Sequence, residues 1–137
     1  MRSRLATSTL AAALLLTAAA AAAARLSPEE RLAKAIEGRS AGEPVKCIQL
    51  RDIRSTRIID RTAIIYDTLG GTLYVNHPKA GAAFLHDDVV LVTDTHSSQL
   101  CNIDIVKLVD PTSKMLTGSV GLGDFVPYTR PKPEAKR

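Results

Sequence analysis

The chain contains no tryptophan, and its aromatic residues are only three tyrosines and two phenylalanines. Sites that bind sugars or nucleic-acid bases by stacking depend on aromatic side chains. The composition therefore disfavours such a site. It also leaves isoleucine, valine and leucine to form most of the hydrophobic core.

A strong excess of one charge is also missing from the region predicted to fold. Residues 45–129 contain eight Lys or Arg and nine Asp residues, so this region is close to neutral although the whole chain has a formal charge of +4. Nucleic-acid binding usually needs a strong positive footprint. We therefore predict no nucleic-acid partner.

Recognisable catalytic motifs are absent as well. The glycines of Gly118-x-x-Gly121-x-Gly123 match neither a dinucleotide fingerprint nor a Walker loop, and they favour a bulged or tightly packed strand. Ser97 and Ser98 lie beside a histidine, but no G-x-S-x-G nucleophile pattern surrounds them. We predict no catalytic residue and no cofactor, and a non-enzymatic role is favoured over an enzyme.

The most informative segment that is present is residues 1–24. A positive head, Met1-Arg2-Ser3-Arg4, precedes an apolar, alanine-rich run from Leu5 to Ala24, which closes with small residues. This is the layout of a secretory signal peptide. The run is long enough to span a membrane, but threonine, serine and alanine dilute its hydropathy, so cleavage after Ala24 is favoured over an uncleaved anchor. The sequence thus predicts a periplasmic or secreted protein with no stable membrane span after cleavage.

Cys47 and Cys101 are the only two cysteines, and their sequence separation is 54. In an exported chain such a pair predicts one intramolecular disulfide. A redox role would favour a closely spaced C-x-x-C pair, which is absent, and a metal role would need further ligands near both thiols. A structural bridge is therefore our prediction.

The remaining chain divides into a short N-terminal helix, a β-rich domain and a tail. Ser27, Pro28 and Glu30 form a capping-box pattern that begins a helix from Pro28 to Glu37 within residues 25–44, whose last part is a linker. Leu32, Ala33 and Ile36 give this helix a thin apolar stripe. Residues 45–129 are predicted to form the β-rich domain, and residues 130–137 a disordered tail.

Within 45–129, short runs rich in isoleucine, valine, threonine and tyrosine alternate with turn residues. Gly70-Gly71 between two such runs predicts a two-residue hairpin turn, with Tyr66 opposite Val75. So many short strands predict a mainly β fold, a small antiparallel sandwich or barrel-like domain with one short N-terminal helix. The predicted strands are 45–51, 55–60, 62–68, 72–77, 88–94, 102–109 and 119–126.

Five short motifs stand out in the predicted β-rich domain: Cys47-Ile48-x-Leu50, Ile53-Arg54-Ser55, Ile59-Asp60, Cys101-x-x-Asp104 and Leu122-Gly123-Asp124-Phe125-Val126-Pro127-Tyr128. Together they resemble the motifs of a family of small exported bacterial proteins with no assigned function. The resemblance covers residues 45–130, and it implies an export route and a β-rich domain but no catalytic residue. Some members carry an additional cysteine pair, whereas residues 78–81 and 118–121 contain no cysteine here.

Two groups of residues are candidate ligand sites. His77, His86 and His96 fall within 20 residues of one another, with three aspartates among them, and such residues can bind zinc or copper. The alternative is that these histidines lie on turns and strand ends at the surface. No established ligand spacing such as H-E-x-x-H is present.

The second candidate is basic. Residues 46–61 contain five basic residues against two aspartates, whereas residues 62–129 contain three lysines against seven aspartates. The charges of neighbouring strands either offset one another across the sheet, or Arg51, Arg54 and Arg57 form a ridge for an anionic ligand such as a lipid head group or an acidic polysaccharide.

Our leading interpretation is a disulfide-bonded, non-enzymatic domain that binds a protein or an envelope component. The alternative is a metal-binding protein that uses the three histidines.

Overall fold

The structure, a computed structural model, describes residues 25–133. The predicted signal peptide and the last four residues of the predicted tail lie outside the described residues. The described part contains one α-helix, ten strands, and 3₁₀ turns at Leu50–Asp52 and Ala82–Phe84. The elements are α1 Pro28–Ala35, β1 Ser40–Ala41, β2 Cys47–Gln49, β3 Ile53–Ile59, β4 Ala63–Thr68, β5 Leu73–Asn76, β6 Val90–Thr93, β7 Gln99–Cys101, β8 Ile105–Val109, β9 Leu116–Gly121 and β10 Phe125–Thr129.

The strands form three antiparallel sheets. A five-stranded sheet has the order β1-β10-β5-β4-β3, a three-stranded sheet has the order β6-β8-β9, and β2 pairs with β7. The main core contains buried side chains from all three sheets, so the smaller sheets pack against one face of the larger one. The predicted mainly β, sandwich-like class is confirmed. The buried residues of this core are Ile48, Ile64, Tyr66, Leu85, Leu100, Val106, Leu108, Val120, Leu122 and Phe125.

The other face of the five-stranded sheet is covered by α1. Ile64 and Tyr66 of β4 belong to the main core, whereas Ala63 and Ile65 belong to a second cluster, as the two-residue period of a strand requires. Leu32, Ala35 and Ile36 pack against this second cluster. The helix therefore belongs to the packed structure. Ala33, which the sequence placed on the apolar side, is exposed instead.

The predicted start of the helix is confirmed in detail. Ser27 Oγ accepts a hydrogen bond from the Glu30 N–H at 3.2 Å, and Glu30 Oε2 accepts one from the Ser27 N–H at 2.7 Å. The helix ends at Ala35 rather than Glu37, and Gly38 follows with a left-handed φ of 71°. Within residues 25–133, no helix is long and apolar enough to cross a membrane.

The register predicted for the hairpin is wrong by one residue. Tyr66 lies opposite Tyr74, and Ile65 lies opposite Val75. The connection has three residues rather than two, because the Thr68 N–H donates to the Thr72 carbonyl at 3.1 Å. Gly71 takes the left-handed conformation that a three-residue hairpin loop requires at its last position.

Three other predicted segments also differ from the structure. The predicted strand 102–109 is preceded by a separate strand, β7, and the predicted strand 119–126 is divided between β9 and β10. Two residues of the predicted linker form β1, which pairs with β10. All three differences involve pairings with strands far away in the sequence, which a local pattern does not contain.

Tyr66 gives the first testable prediction. Its ring packs edge-on against Phe125, with centroids 5.7 Å apart, and its hydroxyl is buried without a hydrogen-bond partner among the described residues. Burial also raises the pKa of Tyr66 above its ordinary value. An unsatisfied buried hydroxyl is destabilising, so we expect Tyr66→Phe to raise the free energy of unfolding by about 1 kcal/mol in urea titrations. Tyr128→Phe, a change at a partly exposed ring, is the control, and a loss of stability in Tyr66→Phe would contradict the prediction.

Candidate binding groove

A groove of about 680 Å³ lies beside α1. On this side of the sandwich, no strand of the described residues pairs the five-stranded sheet with the three-stranded sheet. One wall is β3, the last strand of the five-stranded sheet, and the other is formed by Val89 and by Leu91 of β6, an outer strand of the three-stranded sheet. Helix α1 forms the third side. The lining residues are Leu26, Arg31, Lys34, Ala35, Thr56, Arg57, Ile58, Ile59, Asp87, Val89 and Leu91.

Both strands that flank the groove are edge strands. In the described part of the chain β3 pairs only with β4, and β6 pairs only with β8. An edge strand leaves a row of backbone N–H and C=O groups without partners, and these groups can pair with a further strand. The central residues of β3 are exposed from Arg54 to Arg57. The groove therefore combines an apolar floor with unpaired strand edges.

The charged groups of the groove are not equivalent. Arg31 bridges two loops, because its guanidinium donates to Asp60 Oδ2 and to Asp87 Oδ2, each at 3.3 Å. Asp60 also accepts the N–H of Asp87 at 2.8 Å. Arg31 thus ties α1 to both walls, and two carboxylates more than offset its single charge.

Lys34 and Arg57 differ from Arg31. Neither forms an ion pair with another residue in the range 25–133. Both are exposed and both line the groove. They give the groove two positive charges that have no carboxylate of the described residues within 4.0 Å. An occupant with negative charges would complement them.

The structure joins the two predicted disulfide residues. Cys47 of β2 and Cys101 of β7 are directly opposite in the register, with Cα atoms 4.0 Å apart and an S–S bond of 2.08 Å. The adjacent pair, Ile48 and Leu100, is buried in the main core. The bridge therefore joins the two strands of the small sheet to each other, and Ile48 and Leu100 pack that sheet into the main core.

The structure does not gather the three histidines into a metal centre. His77 follows β5, and its Nδ1 lies 3.2 Å from the Thr62 carbonyl oxygen, whereas His86 and His96 lie in two different loops on either side of β6. Among residues 25–133, no group of three or more His, Cys, Asp or Glu side chains is arranged to hold a metal ion.

The three predicted anion-binding arginines are also separated. Arg51 is exposed on a 3₁₀ turn, and its Nε lies 3.8 Å from Asp52 Oδ1. Arg57 lines the groove. Arg54 lies at an irregularity of β3 and donates to Asp67 Oδ2 of β4 at 3.2 Å. The Arg54–Asp67 contact agrees with one of the two alternatives from the sequence, in which charges on neighbouring strands offset one another.

Two ionisable groups in the described part have a clearly shifted pKa, and both lie outside the groove. The first is Tyr66 in the core. The second is Asp110, which accepts hydrogen bonds from the backbone N–H and the hydroxyl of Ser113 and from the Thr112 N–H, and these contacts lower its pKa. Asp110 thereby fixes the turn between β8 and β9, as the pattern Asp110-Pro111-Thr112-Ser113 predicts.

Sequence reasoning missed Arg31 and Lys34 as members of a site. The capping box located α1, but nothing in the local pattern indicates which sheet face the helix covers. Comparison with known proteins adds no relative: no family model, no curated protein and no solved structure matches this chain.

Proposed function

We propose that this protein is an exported, disulfide-bonded, non-enzymatic binding domain that binds an extended, acidic segment of a partner protein. The groove between β3, β6 and α1 is the proposed site. One observation supports the proposal: the same groove contains two unpaired strand edges and the positive charges of Lys34 and Arg57, which form no ion pair among the described residues.

Export is supported from two sides. The sequence of residues 1–24 has the layout of a signal peptide. The Cys47–Cys101 bond is of the kind that persists in oxidising compartments such as the bacterial periplasm and the extracellular space. These two observations support a periplasmic or secreted location, in which a protein of the cell envelope is the expected partner.

The class of partner follows from the shape and chemistry of the groove. An extended peptide can add to an exposed strand edge, where backbone hydrogen bonds give affinity and pockets for alternate side chains give specificity. Here the apolar floor, with Ile58 and Leu91, would take one set of side chains. Lys34 and Arg57 would bind the carboxylates of the side chains that alternate with these along the peptide. The preferred segment therefore alternates β-branched and acidic residues.

The test uses a short synthetic peptide in which valine and glutamate alternate, and fluorescence polarisation as the measure of binding. We expect the double variant Lys34→Glu/Arg57→Glu to bind this peptide at least about tenfold more weakly, because two attractive charge contacts become repulsive. A peptide with lysine in place of glutamate should bind the unmodified protein weakly and the double variant better.

The matched control is Lys46→Glu/Lys114→Glu, which changes the net charge equally at two exposed lysines that do not line the groove. The control should retain the affinity of the unmodified protein. The proposal fails if neither peptide binds saturably, or if both double variants lose affinity to the same degree, since the effect would then come from net charge alone.

A further inference from the structure

Three arginines surround a second pocket, of about 460 Å³, at the opposite end of β3. None of its lining residues lines the groove described above. Arg39 follows α1, Arg54 lies near the start of β3, and Arg130 follows β10. Asp67 is the acidic residue of the pocket, and the other lining residues are Gly70, Gly71, Thr72 and Thr129.

The three guanidinium groups are held to different degrees. One terminal nitrogen of Arg39 donates to the Gly71 carbonyl at 2.6 Å and to the Tyr128 carbonyl at 3.3 Å, so this side chain is fixed by neutral groups that do not cancel its charge. Arg54 is fixed by Asp67, which does cancel one charge. Arg130 forms no hydrogen bond or ion pair with any other residue of the described range.

The pocket therefore carries two positive charges in excess of its one carboxylate. A guanidinium presents five N–H donors, so Arg39 and Arg54 keep free donors after the contacts described. Arginine forks match the oxygens of a phosphate group in pairs. A phosphate monoester carries a charge of about −1.5 to −2 at neutral pH, which matches the excess charge of the pocket.

We propose that Arg39, Arg54 and Arg130 form a binding site for a phosphate monoester group. Thr72 and Thr129 also line this pocket, and a threonine hydroxyl is a neutral donor. This site is independent of the proposed peptide-binding function. Of these three arginines, the sequence indicated only Arg54 as a candidate for binding an anion. Arg39 falls in the predicted linker and Arg130 in the predicted tail, and pairing of β10 with β1 and β5 brings these two together.

The test measures binding of inorganic phosphate to the purified protein by calorimetry at low ionic strength. Binding to phosphatidylcholine vesicles, with and without phosphatidic acid, is measured in parallel. We expect Arg130→Gln to weaken binding about tenfold, since one charge-assisted contact is lost. Arg130 is exposed and lacks structural contacts in the described part, so this variant should fold normally. Arg51→Gln, at an arginine that is 83 % exposed and lies outside the pocket, is the matched control and should bind as the unmodified protein does.

The two arms separate the sources of the phosphate. Sensitivity of inorganic phosphate binding to Arg130→Gln supports a site for small phosphorylated molecules. If Arg130→Gln weakens only the binding to vesicles that contain phosphatidic acid, the ligand at the same three arginines is a lipid head group. The proposal is overturned if neither probe binds saturably, or if Arg51→Gln weakens binding as much as Arg130→Gln does.

Discussion

Replacing Cys47 and Cys101 together by alanine is expected to lower the free energy of unfolding by about 4 kcal/mol. The bridge closes a loop of 54 residues, and the loss of chain entropy that a loop of this length imposes on the unfolded state has that magnitude. A domain of this size has a total stability of about 5–15 kcal/mol, so the variant should lose a large part of it. The two-stranded sheet β2-β7 should be affected most, because two strands alone are only marginally stable.

Urea unfolding of the oxidised protein and of the Cys47→Ala/Cys101→Ala variant measures this difference directly. The unmodified protein in the presence of a reductant is the control, and it should unfold close to the variant. A loss below about 1 kcal/mol would contradict the account, because the bridge would then contribute much less than its loop length predicts.

The second large effect is expected at Asn76, whose side chain is fully buried. Its amide nitrogen donates to the Gly123 carbonyl at 2.6 Å, and its Oδ1 accepts from the Gly123 N–H at 3.0 Å. The Asn76 side chain thus pairs with both the N–H and the C=O of Gly123. Gly123 lies between β9 and β10, where the chain passes from the three-stranded sheet to the five-stranded sheet. Asn76→Ala removes both bonds and leaves a cavity, so we expect a loss of about 3 kcal/mol in the free energy of unfolding.

Asn102→Ala is the matched control for this substitution. The Asn102 amide is partly exposed and donates to the exposed side chain of Asp124 at 2.6 Å, so its loss should change stability by only about 0.5 kcal/mol. Equal losses in the two variants would show that burial and the pairing with Gly123 do not determine the effect.

The sequence predicted features that depend on neighbouring residues. The capping box of Ser27 and Glu30 needs only one helical turn, and the turn at Asp110 needs only four residues, and both are present as expected. The disulfide also followed without knowledge of the fold, because a chain that is predicted to be exported and has two cysteines allows only one intramolecular pairing. The strand-rich class followed from composition and turn spacing.

The sequence did not predict what depends on distant contacts. Gly123 divides a predicted strand because Asn76, 47 residues away, holds it at the crossing between the sheets. The continuous apolar run at β4 is buried on both faces of the sheet. Its outer face is buried because α1 covers it, and no local sequence pattern shows where the helix packs. The groove and the three-arginine pocket likewise depend on strand order, so their residues were missed or assigned separately.

Amide hydrogen exchange on the complex with the valine–glutamate peptide shows whether the peptide binds along the edge of β3. If the peptide adds to the sheet at the groove, the backbone N–H groups of β3 that face it should become protected, while exchange at the outer edge of β9 should stay unchanged. Protection confined to other regions, or no protection anywhere at saturating peptide, would contradict the assignment of this groove as the binding site.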